Sequence, residues 1–237
     1  VDPDDNSREV IKGASFNLRE GEILGIAGLM GSGRTELVST LFGDYGRITN
    51  GKIYLDDREV KIDSANNSMK LGISLVPEDR KKYGLVLIQD IQKNISLANL
   101  DKFSKWFKID FNSEIKKTSE FAEKLEIKAP NLFVACQTLS GGNQQKVVIA
   151  KWLMSEPRVL IMDDPTRGID VGAKYEIYKL MNDLAENGIA IIMISSELEE
   201  VIGMSDRIMV MSAGKSRGIL EPKDFNQEKI MAMATVY

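Results

Sequence analysis

The stretch "EILGIAGLMGSGRTEL" (22–37) decides how the rest of the chain is read. A β-rich apolar run leads into Gly28, Gly31 and Gly33, and the helical pattern "RTELVSTLF" (34–42) leads out of them. In a strand–turn–helix of this kind, backbone N–H groups and the helix N-terminus form a cradle for an anion, and glycine lets the chain approach phosphate closely. Gly28, Leu29, Met30, Gly31, Ser32, Gly33, Arg34, Thr35 and Glu36 are therefore candidate phosphate-binding residues, with the Thr35 hydroxyl available to a metal ion. Two residues set this loop apart from the usual form. Arg34 keeps the positive charge of the expected lysine but spreads it over a broad planar fork. Glu36 suits a helix N-terminus electrostatically, yet it brings like charge towards phosphate. At this point a glycine-rich turn with no ligand remains the competing reading.

Further along, "RVLIMDDPT" (158–166) is an apolar run ending in two carboxylates, the pattern of a strand that presents Asp163 to a metal. "TRGID" (166–170) follows directly. Upstream, "LSGGNQQK" (139–146) places Ser140, Gly141 and Gly142 at a helix start, which by itself reads as an N-cap with a tight entry.

Other β-rich runs are "GKIYL" (51–55), "GISLV" (72–76), "IAIIMIS" (189–195) and "RIMVM" (207–211). Helical patterns occupy 113–127, 142–154 and 173–188, the last stopping at Asn187-Gly188. Strands alternating with helices, several of them almost continuously apolar, predict an α/β doubly wound core with both sheet faces covered. The block from about 90 to 150 is mostly helical and carries Lys105, Trp106, Phe107 and Lys108 as a polar-aromatic patch. The tail "EKIMAMATVY" (228–237) predicts an amphipathic terminal helix that packs on the core.

Bulk composition narrows the function classes. The chain has 237 residues with 31 Lys and Arg against 35 Asp and Glu, a formal charge of −4 that gives no electrostatic footprint for nucleic acid. Cys136 is the only cysteine and histidine is absent, so neither an internal disulfide nor a Cys-His catalytic pair exists. No apolar run approaches the ~20 residues that cross a bilayer, so membrane contact is expected through a partner. The polar start "VDPDDNSREV" has no methionine and does not read as a signal peptide; a piece of a longer polypeptide is expected.

Taken in order, these motifs resemble the ATP-binding cassette of ABC transporters: Walker A at 28–35, signature at 139–143, Walker B at 159–164 and D-loop at 168–170. The segments "PEDRKKYGLVL" (77–87), "LSGGNQQKV" (139–147), "PTRGIDVGAK" (165–174) and "ISSELEEVIGMSDRI" (194–208) are similar to the second, C-terminal cassette of tandem-cassette importers of ribose, galactose, xylose and related sugars. The resemblance implies a P-loop NTPase core with an antiparallel β lobe and an inserted helical signature subdomain. Core and β lobe would cover about 1–89 and 151–237, and the subdomain about 90–150. It implies ATP and Mg²⁺ as cofactors, with Thr35, Asp163 and Glu78 on the metal. It also implies a head-to-tail pairing with an N-terminal cassette of the same or a second polypeptide, in which Ser140, Gly141, Gly142 and Asn143 face the partner's ATP and Asp170 lies in the D-loop. Sugar permease subunits, and indirectly a periplasmic sugar-binding protein, would complete the complex at the cytoplasmic face of the membrane.

Four positions depart from that pattern. Arg34 replaces lysine. Asp164 stands where a general-base glutamate follows Asp163, one methylene shorter than the reach to an attacking water calls for. Glu78 occupies the place of the Q-loop glutamine, and Ser196 that of the switch histidine. Asp164, Glu78 and Ser196 are the candidate catalytic positions. No aromatic residue precedes Phe16 to stack adenine, and Phe16 is expected in the β-lobe core. Altered Walker residues beside a nearly intact signature imply asymmetry: nucleotide held here, hydrolysis mainly at the site this chain completes. The competing functions are a non-hydrolytic regulatory or dimerisation module, and a soluble non-transport cassette ATPase. A P-loop kinase or GTPase would not need "LSGGN" and ranks last.

Overall fold

The computed structural model describes residues 1–2, 9–106 and 108–236; Phe107 of the polar-aromatic patch and the terminal Tyr237 lie outside the described residues. β1 (Ile23–Gly28) runs through the glycine loop into α1 (Arg34–Phe42). β2 (Ile53–Leu55) and β3 (Arg58–Val60) form an antiparallel hairpin whose turn residues Asp56 and Asp57 have φ of 49° and 61°. Positive φ at both turn positions matches the twist of the flanking strands, and aspartate is one of the few side chains that tolerates it. α2 (Ala65–Lys70), capped by the Ser64 hydroxyl, precedes β4 (Ile73–Val76).

A short π-helical turn (Arg80–Gly84) then opens the helical stretch. It contains α3 (Ile91–Ser96), a 3₁₀ segment (Leu97–Phe103), the hairpin β5 (Ser104–Lys105) with β6 (Lys108–Ile109), α4 (Phe111–Lys124) and α5 (Gly141–Leu153). β7 (Val159–Asp163), α6 (Val171–Glu186), β8 (Ala190–Ile194), α7 (Leu198–Met204), β9 (Arg207–Ser212), β10 (Lys215–Leu220) and α8 (Gln227–Ala234) complete the chain.

The main sheet has the order β10-β9-β1-β8-β7-β4, with β10 antiparallel at one edge and the other neighbours parallel. Successive side chains of a strand point to opposite faces, and here both faces are buried. Leu160, Met162, Ile191 and Met193 pack with Val148 and Ile149 of α5 and with Ile177 and Met181 of α6. Ile161, Ile192 and Ile194 pack on the other side with Leu37, Val38 and Phe42 of α1. This double burial is why β7 and β8 read as unbroken apolar runs. Phe16, half-buried, packs against the α1-side cluster together with Ile11, Leu18 and Ile62. Ala27, Ile208 and Val210 form a third cluster with Val201 of α7 and Ile230 and Ala234 of α8.

Because β1, β4, β7 and β8 run parallel, the loops that follow them leave the same edge of the sheet, where ligands gather in open α/β folds. Those loops hold residues 29–33, 77–79, 164–170 and 195–197. Among the described residues, no helix is long and apolar enough to cross a membrane.

Candidate nucleotide site

The glycine loop is shaped by backbone need. Gly33 caps α1 at φ 96°, and a Cβ there would lie 2.9 Å from Ile11 Cδ1. Inside the loop the Ser32 hydroxyl is buried with no hydrogen-bond partner. At the end of β7, Asp163 is 3% exposed and its Oδ1 is likewise buried and unpartnered. A buried polar group without a partner costs about 1–3 kcal/mol, so Asp163 Oδ1, beside Thr35 and Arg34, marks where a polar ligand belongs. Burial pushes the Asp163 carboxyl up to about 6; the Thr35 hydroxyl and Arg34 pull it down, while Asp164 and Glu36 raise it further. An anion with its own cation fits such a place, since the cation would relieve Asp163 and the anion would accept from Ser32 and the loop amides. No group of three or more His, Cys, Asp or Glu side chains able to hold a metal occurs among the described residues. A cation here would lean on Thr35, Asp163 and the anion itself.

The altered positions are each engaged. Arg34 Nη1 donates to the Ser195 carbonyl at 2.9 Å, beyond the end of β8. Asp164 has φ 45°, and its Oδ1 accepts the Ser196 N–H at 2.6 Å. Arg34, Asp164 and Ser196 are thereby tied into one cluster around the loop after β8. Glu78 forms an ion pair with Arg167 in the loop after β7.

The serine–glycine corner forms a second constellation. Exposed Ser140 caps α5, accepting from the Asn143 backbone N–H at 3.4 Å and its side-chain amide at 3.0 Å. Asn143 Oδ1 in turn accepts the Lys128 N–H at 2.7 Å, so both ends of its side-chain amide are engaged. Gly142 is demanded by contact: a Cβ there would meet Ala173 Cβ of α6 at 2.5 Å. Asp170 caps α6, accepting the Ala173 N–H at 3.0 Å. Gly141, Gly142 and Asp170 therefore share one corner.

Sequence reasoning missed Glu200. Its carboxylate, 7% exposed, accepts from Thr166 Oγ1, Ser195 Oγ at 2.7 Å, Tyr178 OH at 2.6 Å and Lys174 Nζ at 2.9 Å. It knits the loop after β7 to the loop after β8 and to α6. "ELEE" (197–200) looks like a solvated acidic helix start; the available signal was that Glu200 adjoins buried Val201 on a very short helix.

The sequence profile of the family described as "ABC transporter" matches residues 11–167. "Xylose import ATP-binding protein XylG" of Geobacillus kaustophilus is 54% identical over 96% of this chain and 45% of its own length. "Ribose import ATP-binding protein RbsA" of Clostridium perfringens is 54% identical with the same coverage, and "L-arabinose transport ATP-binding protein AraG" of Geobacillus stearothermophilus is 48% identical over 97% and 45%. The chain thus spans about half the length of these curated relatives. Among solved structures, the fold is similar to that of MJ1267, "an ATP-binding cassette of an ABC transporter", in its ADP conformation (TM-score 0.80, 19% identity, 94% of this chain and 91% of that one). It is also similar to the dimeric, post-hydrolysis ATP-binding cassette MJ0796 bound to ADP and Pi (TM-score 0.76, 21% identity, 91% and 92%).

Proposed function

The chain belongs to the ABC transporter family, and on that premise we propose that it is the second ATP-binding cassette of a tandem sugar-import ATPase. It holds Mg-ATP with residues 28–36 and Asp163 and lends Ser140, Gly141, Gly142 and Asn143 to the ATP site of a partner cassette. Hydrolysis runs mainly at that composite site and drives a monosaccharide through a permease at the cytoplasmic face. Core and β lobe take residues 1–89 and 151–237, with the helical subdomain at 90–150. The relatives named for xylose, ribose and L-arabinose import support the substrate class, and the dimeric cassette among the solved structures supports the pairing.

One observation carries the nucleotide reading: at the end of β7, beside Thr35 and Arg34 at the start of α1, Asp163 Oδ1 is buried without a partner. Ser32 and the loop amides bind phosphate oxygens at a helix N-terminus. Thr35 and ionised Asp163 hold the Mg²⁺, which supplies charge neutralisation of the triphosphate when bound. Glu78, in the Q-loop place, would be the third residue of that metal set, and it pairs with Arg167 here. Asp164 is the residue placed to orient water, but its Oδ1 holds the Ser196 N–H. That engagement, together with the missing methylene and the missing histidine, is why hydrolysis at this chain's own loop is slow.

The same engagement favours a second reading, a cassette that binds nucleotide only to set dimer geometry. Single-turnover hydrolysis separates the two. We expect the isolated chain to bind Mg-ATP, to lose affinity on Arg34→Ala, and to hydrolyse far more slowly than the full-length polypeptide. Equal rates would refute the asymmetry. Ser140→Ala should cripple the full-length protein more than Asp164→Asn; a full-length protein that hydrolyses nothing points to the second reading.

A further inference from the structure

Arg80 sits two residues after Glu78 and opens the π-helical turn, which Asp79 fixes by accepting the Lys81 and Lys82 N–H groups at 2.9 and 3.1 Å. Its guanidinium crosses to the loop after β7. Nη1 donates to the Arg167 carbonyl at 2.5 Å and Nη2 to the Gly168 carbonyl at 3.0 Å. Nε is buried with no partner. The fork also lies against the signature corner: a Cβ on Gly141 would come within 2.9 Å of Arg80 Nη2 and 3.1 Å of the Gly168 carbonyl. Gly141 thus leaves room for a guanidinium wedged between the start of α5 and the loop that leads to Asp170. Arg167 is gripped at both ends, its side chain by Glu78 and its carbonyl by Arg80.

We infer that Arg80 is a positioning residue: it locks the serine–glycine corner and the 166–170 loop into one rigid face, and so sets the geometry this chain presents to the partner cassette's nucleotide. The inference rests on the reading that Ser140, Gly141 and Gly142 serve that nucleotide. Two carbonyls on consecutive residues are met by a planar fork with several fixed donors. A lysine ammonium, compact and on a flexible stem, cannot reproduce the arrangement. Arg80 also links Glu78, which belongs to this chain's own nucleotide loop region, to the elements that serve the other site.

The test uses the full-length polypeptide with Arg80→Lys, Arg80→Ala and, as reference, Ser140→Ala. A misplaced group far from the chemistry can cost up to about a hundredfold in rate. Arg80→Lys and Arg80→Ala should both lower kcat for ATP hydrolysis by about ten- to a hundredfold, with KM and the Mg-ATP affinity of this chain's own loop within about twofold. Hydrogen exchange at residues 168–170 should quicken in Arg80→Lys while that at residues 32–35 does not. If Ser140→Ala leaves kcat intact, the parent reading fails. If Ser140→Ala lowers kcat but Arg80→Lys does not, the role of Arg80 alone is overturned, because charge without the fork suffices. Exchange quickened equally at both loops also overturns it, since that marks general loosening. Should Arg80→Ala fail to fold, Arg80→Lys decides.

Discussion

Replacing Glu200 by glutamine keeps the shape of the side chain and removes its charge, which isolates what that carboxylate does. Four side chains donate to it, with donor–acceptor distances of 2.6–2.9 Å. Glutamine offers one acceptor oxygen and turns an amide N–H₂ towards the remaining donors. Thr166 and Ser195 can rotate their hydroxyls to accept, whereas Lys174 cannot, though it keeps Glu197 at 2.5 Å. The net loss is on the order of two charge-assisted hydrogen bonds at about 1.5 kcal/mol each, or about 3 kcal/mol. Glu200→Ala, which takes an acceptor from all four donors and leaves Lys174 only Glu197, should cost about 3–5 kcal/mol. Equilibrium urea unfolding followed by far-ultraviolet circular dichroism measures both. The pH dependence has a definite sign. Burial pushes the Glu200 carboxyl up, but hydrogen bonds from Tyr178, Ser195, Thr166 and Lys174 outweigh it and hold the folded value below 4.5. A lowered folded pKa contributes stability that is present above the unfolded pKa and lost as pH falls through the folded value. The gap between native protein and Glu200→Gln is therefore full at pH 7 and shrinks below about pH 4. A Glu200→Gln protein within about 0.5 kcal/mol of native at pH 7, or a gap that stays constant into acid, refutes the reasoning.

Asp163 has the opposite sign. Its folded pKa of about 6, raised chiefly by burial, makes the nucleotide-free protein lose stability as pH rises from about 4 to 6, so at pH 7 Asp163→Asn should be more stable by up to about 3 kcal/mol. Thermal melts without nucleotide check this, and equal midpoints at pH 7.5 contradict it. The Cys136 thiol, fully buried and pushed up to about 11 by burial, should react with a disulfide reagent at pH 8 at least about a hundredfold more slowly in the native protein than in denaturant; comparable rates would mean that the site opens readily. Gly142→Ala puts a Cβ 2.5 Å from Ala173 Cβ, and the overpacking should cost about 1–3 kcal/mol in urea unfolding. A neutral result would show that α5 and α6 can part.

Local physics left clear traces of part of this molecule and none of the rest. β7 and β8 announce themselves because both faces are covered. β10, an edge strand of sequence "KSRGIL" with mostly half-exposed residues, carries no such run. α3 spans six residues, too few to establish a helical period, and its cap is the Asp90 carboxylate, which accepts the Lys93 N–H. The glycine loop, Asp163 and the Ser140 cap were legible because close approach to phosphate, a strand end and a helix start each demand particular residues within a short span. Arg80 and Glu200 were not. Arg80 finds its carbonyl partners 87 and 88 positions away, and Glu200 takes the Thr166 hydroxyl from 34 positions away. Nothing in the flanking residues encodes those meetings.

Arg34, Glu78, Asp164 and Ser196 all lie outside the apolar clusters that bind the sheet to its helices. The interior owes its cohesion to Ile161, Ile192, Met162 and their neighbours, none of which belongs to the glycine loop. Those four positions form a rim: each can be exchanged one at a time while folding free energy is left nearly where it was.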